Sequence, residues 1–256
     1  MWIRSLAALA LGCAVACGSR DEFRADRRVP AAALKAAPAA SPSTPAPSKL
    51  EGLVPNHVEG RPRVVVLGDS LTAGLGLPSD QAYPAVLQRR LNDAGLGYDV
   101  VNAGVSGDTS AGGLRRLDWA LDGDVRVLIV ALGGNDALRG LQPDELKRNL
   151  AQIIERAQAR GVRVVLAGMD APPNWGRGYI VAFHQVYPSV AAEYHVAFVP
   201  FLLAGVGGHD ELNQNDGIHP TVAGARIVAD NVWAVLEPLA KQQQQRATRS
   251  EGRPGS

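Results

Sequence analysis

The chain has 256 residues, which is enough for one domain of ordinary size with additional segments. Its 26 basic and 25 acidic residues balance one another, so the charge gives no indication of binding to nucleic acid. Hydrophobic residues make up 46% of the chain, as a globular core requires, and no run beyond the amino-terminal segment is long enough to span a membrane.

Residues 1–17 have the pattern of a bacterial signal peptide. Arg4 gives a positive start, and a short apolar run follows it. Residues 14–19 resemble a lipobox, in which the cysteine becomes the lipid-modified first residue of the mature protein, so we expect lipidation of Cys17. Cys13 is the competing site, and a plain secretory signal without a lipid is the simpler alternative.

The expected anchor predicts where the protein resides. A chain lipidated at Cys17 would lie on the periplasmic face of the cell envelope and contact the membrane through its lipid only. Gly18 and Ser19 lack the aspartate associated with retention at the inner membrane, which favours the outer membrane. Because both cysteines lie in this segment, the rest of the chain has no disulfide, no thiol nucleophile and no thiolate zinc site.

A low-complexity segment follows the signal. Residues 30–48 contain eight alanines and five prolines among 19 positions, a composition that buries little surface. We therefore predict a disordered Ala/Pro-rich tether over residues 18–60, one globular domain over residues 61–240, and a polar, frayed tail over residues 241–256.

From Arg63 onward the sequence alternates between strand and helix patterns. The predicted strands run from Arg63 to the Gly68-Asp69-Ser70 turn and over residues 98–102, 125–132, 162–167 and 197–200. The predicted helices cover residues 83–93, 109–121, 143–160, 179–194 and 220–239. This alternation predicts an α/β domain with three layers, α/β/α, around a five-stranded parallel sheet.

Four unusual loops occur where chemistry is expected. Gly68-Asp69-Ser70 ends the first strand, residues 103–110 follow the second, residues 133–136 follow the third, and residues 216–220 precede the last helix. Ligands of open parallel sheets bind outside the carboxyl ends of the strands. Taken alone, Ser70 is better explained as a helix cap, but the four loops in this order indicate a site.

The residue types in these loops suit acyl transfer. The hydroxyl of Ser70 is a poor nucleophile until a base removes its proton. His219 lies three residues after Asp216, a spacing that lets the carboxylate reach one imidazole nitrogen and fix the tautomer. The structural alternative is a turn before a helix, capped by Asp216. A second alternative is that Asp216 and His219 are a pair of metal ligands, although the sequence offers no third ligand.

The negative oxygen formed during acyl transfer needs hydrogen-bond donors that are fixed in advance. Gly107 can bring its backbone N–H close because it has no side chain. Asn135 offers a side-chain amide from the end of the next strand. The Ser70 N–H, at the start of a helix, is the third candidate.

The four blocks together resemble the SGNH/GDSL hydrolase family, and within it the periplasmic multifunctional lysophospholipase/thioesterase/arylesterase type. The blocks are Gly68-Asp69-Ser70-Leu71, Val105-Ser106-Gly107-Asp108-Thr109-Ser110, Leu132-Gly133-Gly134-Asn135-Asp136 and Asp216-Gly217-Ile218-His219-Pro220. The resemblance implies a flavodoxin-like fold and no cofactor or metal. It also implies Ser70 as nucleophile, Asp216 and His219 as its triad partners, and Ser70, Gly107 and Asn135 as the oxyanion hole.

The loop after the fourth strand departs from related sequences, which tend to carry Gln and Tyr where Asp170 and Trp175 stand. An acidic side chain at Asp170 either disfavours anionic acyl-thioesters or is a solvated loop residue. The expected substrate is a small-molecule or lipid ester. A carbohydrate O-deacetylase is the alternative enzyme, and a non-catalytic, envelope-anchored binding protein is the alternative of another class.

Overall fold

The computed structural model of the protein describes residues 60–251. The predicted signal peptide, Cys17 and the tether up to residue 59 lie outside the described residues. Five parallel strands form one sheet in the order β2-β1-β3-β4-β5, which is the flavodoxin-like order, so the predicted fold class is confirmed. The strands are β1 (Arg63–Gly68), β2 (Asp99–Gly104), β3 (Val125–Ala131), β4 (Arg163–Ala167) and β5 (Ala197–Val199).

Helices flank the sheet. They are α1 (Ser70–Ala73), α2 (Tyr83–Asp93), α3 (Ser110–Arg115), α4 (Leu117–Ala120), α5 (Gly134–Leu138), α6 (Pro143–Ala159), α7 (Arg177–Glu193) and α8 (Val222–Glu251). Single 3₁₀ turns occupy Ser79–Gln81, Pro173–Trp175 and Asp210–Leu212. Helix α2 packs with α8, and α6 packs with both α3 and α7. Within residues 60–251 no helix is both long and apolar enough to cross a membrane.

The strand order places the site. Chain order runs from β1 to β2 at one edge of the sheet and then returns to β3 on the other side of β1. This reversal opens a crevice at the carboxyl ends of β1 and β3. Gly68 at the end of β1 pairs with Ala131 of β3 and with Gly104 of β2, so the loops after these three strands start at the same level.

The predicted helix over residues 109–121 is two helices in the structure. Helix α3 ends at Arg115 and α4 begins at Leu117, because Arg116 between them leaves the helical conformation, with φ −101° and ψ 11°. The guanidinium of Arg116 donates to the carbonyls of Gly68 and Ala103 at the ends of β1 and β2. These contacts fix the helix break against the sheet, and hydrophobic periodicity in the sequence could not predict them.

The carboxyl-terminal segment also differs from the prediction. We expected a frayed polar tail from Lys241, but α8 continues to Glu251. Once a helix is nucleated, each added residue costs little, and the glutamines, arginines and alanine of this segment are good helix formers. Polarity at the end of the chain therefore did not mark the end of the helix.

Close contact between the end of β2 and α1 fixes the position of α1. A Cβ atom on Gly104 would lie 2.2 Å from the backbone nitrogen of Ala73. Asn102 adds a hydrogen bond from its side-chain amide to the Thr72 carbonyl at 2.8 Å. The short helix that begins with Ser70 is thereby held against the sheet.

We predict that Gly104→Ala lowers the free energy of unfolding by about 1–3 kcal/mol, because the new methyl group meets backbone that cannot move aside. Urea denaturation monitored by circular dichroism measures the change. Gly97→Ala is the matched control, since a Cβ there meets no atom within 4 Å. Equal stability of the two variants would contradict the close packing of α1 on β2.

Candidate active site

Ser70 lies on a sharp turn from β1 into α1. Asp69 caps the helix, and its Oδ1 accepts a hydrogen bond from the Leu71 N–H at 3.0 Å. A Cβ on Gly68 would lie 1.9 Å from Thr72 Oγ1, so the turn requires a glycine there. The turn presents the Ser70 hydroxyl at the carboxyl end of the sheet, at the crevice between β1 and β3.

His219 joins Ser70 to Asp216. Its Nε2 lies 2.8 Å from Ser70 Oγ, and its Nδ1 lies 2.7 Å from Asp216 Oδ2. An ionised carboxylate only accepts hydrogen bonds, so Nδ1 carries the proton and Nε2 is free to accept one from the hydroxyl. The structure thus brings the three predicted triad residues into one chain of hydrogen bonds.

Asp216 is held by the turn that contains it. Its Oδ1 accepts from the backbone N–H groups of His219 and Ile218 at 3.0 and 2.9 Å. These hydrogen bonds, together with the one from the imidazole, hold the pKa of the Asp216 carboxyl well below its usual range. Gly217, which lies between Asp216 and Ile218, has φ +69°, a left-handed conformation that glycine adopts at no steric cost.

The other two predicted oxyanion donors, Gly107 and Asn135, line the same cleft as Ser70. Gly107, with φ +81°, is fixed by a hydrogen bond from Arg139 Nη2 to its carbonyl at 2.8 Å. The backbone N–H of Arg139 donates to the carbonyl of Asn135 at 3.2 Å. Arg139 therefore links the two loops that supply Gly107 and Asn135, a connection that no sequence motif indicated.

The Asn135 amide also contacts the turn before Ser70. Its Nδ2 donates to Asp69 Oδ2 at 3.2 Å, and its second N–H remains available to a ligand. The carboxylate of Asp69 is only 3% exposed. Burial raises the pKa of the Asp69 carboxyl from 3.8 to about 6, against the lowering effects of the hydrogen bonds from Leu71 and Asn135 and of the charge on His219.

Two further supports were missed from the sequence. The Arg116 guanidinium donates to Asp108 Oδ2 at 2.6 Å, as well as to the strand-end carbonyls described above, and so fixes the loop that contains Gly107. Asp136, which is 1% exposed, accepts from the Ser110 hydroxyl at 2.5 Å and from the Ser110 N–H at 2.8 Å. Ser110 and Asp136 are 26 residues apart, and the guanidinium of Arg116 also reaches Gly68, 48 residues away, so no local pattern could have revealed these contacts.

The predicted site residues other than Asp216 line one cleft of about 520 Å³. Its lining is largely apolar and backbone-rich, and includes Leu71, Leu75, Leu138, Met169, Ala171, Pro172, Leu203 and Ile218. Leu75, Leu138 and Ile218 are exposed at its rim. Over residues 60–251 no group of three or more His, Cys, Asp and Glu side chains lies close enough to hold a metal ion. The cleft is suited to an uncharged acyl group.

Asp170 and Trp175 of the loop after β4, and the histidines His184 and His209, have separate positions. Asp170 lines the cleft, and its Oδ1 lies 2.8 Å from His184 Nδ1. Trp175 lies in ring contact with Tyr179 of α7, with a centroid distance of 5.9 Å. His209 lies 3.6 Å from Glu211. Of these side chains, Asp170 alone is placed to meet a bound substrate.

Comparison with known proteins agrees with this geometry. A sequence profile described as the GDSL-like Lipase/Acylhydrolase family matches residues 66–227. Esterase TesA of Pseudomonas aeruginosa is 50% identical over 177 residues, which cover 69% of this chain and 88% of that protein. The protein named thioesterase 1/protease 1/lysophospholipase L1 of Escherichia coli is 38% identical over 177 residues, which cover 69% of this chain and 84% of its own.

A solved structure gives the same result in three dimensions. The crystal structure of TesA superposes with a TM-score of 0.67 at 49% identity. The match covers 69% of this chain and 99% of that one. The likeness therefore extends over nearly the whole of the compared structure, and the family profile over residues 66–227 includes all four loops.

The raised pKa of Asp69 predicts a pH-dependent cost of folding. The carboxyl is protonated in both states below about pH 4, whereas above about pH 6 the folded chain holds a buried charge. The native state therefore loses about 3 kcal/mol as the pH rises through this window. The amide of Asp69→Asn does not ionise, so over the same pH window the free energy of unfolding of this variant should rise by that amount relative to the wild type.

The measurement is urea denaturation of both proteins at about pH 4 and pH 7.5. At each pH, the free energy of unfolding of the wild type is subtracted from that of Asp69→Asn, and the two differences are compared. Using the difference cancels any constant effect of the amide on the hydrogen bonds with Leu71 and Asn135. Asp93→Asn, at the exposed end of α2, is the control and should show no such change. A difference that is the same at both pH values would contradict the buried, charged state of Asp69.

Proposed function

Since the chain belongs to the GDSL-like lipase/acylhydrolase family, whose members include esterases, we propose that it cleaves carboxylic esters through a Ser-His-Asp triad and an acyl-enzyme intermediate. One observation carries the proposal: a single imidazole contacts Ser70 Oγ through Nε2 and Asp216 through Nδ1. A helix cap or a turn would need neither contact, whereas nucleophilic catalysis by a serine needs both.

The first half of the reaction acylates the enzyme. Ser70 Oγ attacks the ester carbonyl carbon while His219 Nε2 takes the hydroxyl proton. Asp216, which stays ionised because its pKa is held low, stabilises the imidazolium that forms. The imidazolium then donates that proton to the leaving alkoxide or thiolate, and the acyl group stays on Ser70.

The negative charge on the carbonyl oxygen is met by neutral donors. The N–H groups of Ser70 and Gly107 and the free amide N–H of Asn135 are the proposed oxyanion hole. Each is fixed before substrate arrives: Ser70 at the start of α1, Gly107 by Arg139, and Asn135 by Asp69. Donors fixed in this way need no reorganisation as the charge develops.

The second half of the reaction releases the acid. His219 removes a proton from water, the hydroxide equivalent attacks the acyl carbon, and the same oxyanion hole holds the new negative charge. The imidazolium returns its proton to Ser70 Oγ as the acyl–oxygen bond breaks. The products are an alcohol or thiol and a carboxylic acid, and the enzyme returns to its starting state.

The proposed substrates are aryl esters, lysophospholipids and acyl thioesters. The relatives are named as an esterase and as a thioesterase/lysophospholipase, and the apolar lining of the cleft accommodates an acyl chain. An O-deacetylase would instead hydrolyse acetylated sugars faster than longer acyl esters. A panel of aryl, thioester and acetylated-sugar esters distinguishes the two activities.

The same proposal includes a place in the cell. We take the protein to be carried to the periplasm by residues 1–17, anchored through lipidated Cys17, and separated from its anchor by the Ala/Pro-rich tether. The sequence pattern supports this arrangement. The globular domain over residues 61–240 would then act on substrates in the envelope.

We predict that Ser70→Ala, His219→Ala and the double variant lose nearly the same activity, because residues that act as one unit are not additive. The measurement is hydrolysis of a p-nitrophenyl ester by the purified proteins, with circular dichroism to confirm that each is folded. Losses that multiply in the double variant would mean that Ser70 and His219 do not act together.

Labelling gives a second readout. A fluorescent phosphonate reacts with an activated serine, so we expect it to label the wild type and not Ser70→Ala. His184→Ala is the matched control, since His184 contacts Asp170 and not Ser70. A wild type that hydrolyses no ester and takes up no phosphonate would establish the binding-protein alternative.

For the anchor, we predict that Cys17→Ser releases the protein from the membrane fraction or blocks its processing. Cys13→Ser is the matched control and should leave fractionation unchanged. Membrane fractionation and metabolic labelling with a palmitate analogue measure the outcome. Loss of labelling in Cys13→Ser alone would move the lipid to Cys13.

A further inference from the structure

Over residues 60–251, the cleft lining contains carboxylates but no lysine or arginine. Among the described residues that line it, the ionisable side chains are Asp69, Asp170 and His219, and none is Lys or Arg. Asp69 is buried beneath Ser70, whereas the side chain of Asp170 is 49% exposed. Asp170 is therefore the carboxylate that an incoming ester meets.

The Asp170 loop is fixed at its base. The Gly168 N–H donates to the Val199 carbonyl at 2.8 Å, and the Gly168 carbonyl accepts from the Leu202 N–H at 2.9 Å. A Cβ on Gly168 would lie 2.2 Å from the Pro200 carbonyl oxygen, so this strand end packs tightly on the next. Met169, directly before Asp170, is 7% exposed. The carboxylate consequently has a defined place in the cleft wall.

His184 on α7 orients the carboxylate. Its Nδ1 donates to Asp170 Oδ1 at 2.8 Å, and among the described residues no Lys or Arg lines the cleft beside this carboxylate. Arg139, the cation that reaches the Gly107 loop, uses its Nη2 on a carbonyl and does not line the cleft.

We propose that Asp170 is a specificity-determining residue, and that it makes the cleft select uncharged and cationic esters over anionic ones. The inference rests on the proposed esterase function and names its substrate class. A substrate carboxylate near Asp170 would meet a like charge with no basic side chain in the lining to offset it. Uncharged esters meet no such repulsion, and a quaternary ammonium group would be attracted.

The test uses three p-nitrophenyl esters of the same chain length. These are the hexanoate, the mono-adipate, which is anionic, and 6-(trimethylammonio)hexanoate, which is cationic. The measured quantity is the ratio of kcat/KM for the anionic ester to that for the hexanoate. A fourth substrate, the hexanoate of 4-hydroxybenzenesulfonate, places the negative charge on the leaving group.

We expect the wild type to prefer the hexanoate, and Asp170→Asn to raise the anionic-to-neutral ratio roughly three- to tenfold, with a fall in the cationic-to-neutral ratio. Whichever anionic ester responds identifies the side of the cleft that Asp170 faces. Asp93→Asn makes the same charge change at the far end of α2 and should leave both ratios as in the wild type. In His184→Gln the discrimination should persist, because the carboxylate remains.

Salt gives a readout that needs no variant. Raising NaCl to about 0.5 M should bring the wild-type ratios closer to one, because exposed charges are screened. Ratios that are the same in wild type and Asp170→Asn for every ester would overturn the inference, and so would ratios insensitive to salt. That result would leave the esterase proposal intact provided the hexanoate is hydrolysed; failure to hydrolyse the hexanoate would refute the esterase proposal itself.

Discussion

The buried Asp69 carboxylate is the interaction on which the site depends. One oxygen accepts from the Leu71 N–H and so fixes the turn that carries Ser70, while the other accepts from the Asn135 amide. The nucleophile Ser70 and the proposed oxyanion donor Asn135, which are far apart in the chain, are therefore oriented by the same carboxylate. Its raised pKa measures what this arrangement costs, because an ionised carboxylate at 3% exposure has lost most of its hydration. The folded protein is therefore less stable because of the buried Asp69 charge, and the same charge orients Ser70 and Asn135.

The sheet brings these residues together without long loops. Parallel pairing of β1 with both β2 and β3 puts their carboxyl ends level, and each strand then turns into a short helix or loop at the crevice. The turns are tight enough to require glycine at Gly68 and Gly104, where a methyl group would strike Thr72 or the backbone of Ala73. Close approach of backbone to backbone is thus the second condition of the site, and it explains why glycines stand beside the polar residues in the motifs.

The strands, the fold class and the positions of the polar loops could be predicted because hydrophobic periodicity and turn residues are local signals. Interactions between distant residues left no such signal. The break at Arg116 follows from its contacts with two strand ends, and the pairing of Asp170 with His184 joins a loop to a helix, so neither was readable from spacing. The continuation of α8 to Glu251 was missed for a different reason: polarity was taken to mark fraying, although the residues there have high helix propensity.

The positions of the arginines near the cleft determine which charges a substrate meets. Arg116 and Arg139 are not among the residues that line the cleft, and both donate to backbone carbonyls, so their guanidinium groups hold loops in place. Negative charge in the proposed transition state is then met by neutral N–H groups alone, whose fixed dipoles act at short range. The acid product of the proposed ester hydrolysis carries a full negative charge, so the proposed repulsion by Asp170 acts on this product and not on the neutral ester. In this proposal, the carboxylate that disfavours anionic substrates also favours release of the anionic product.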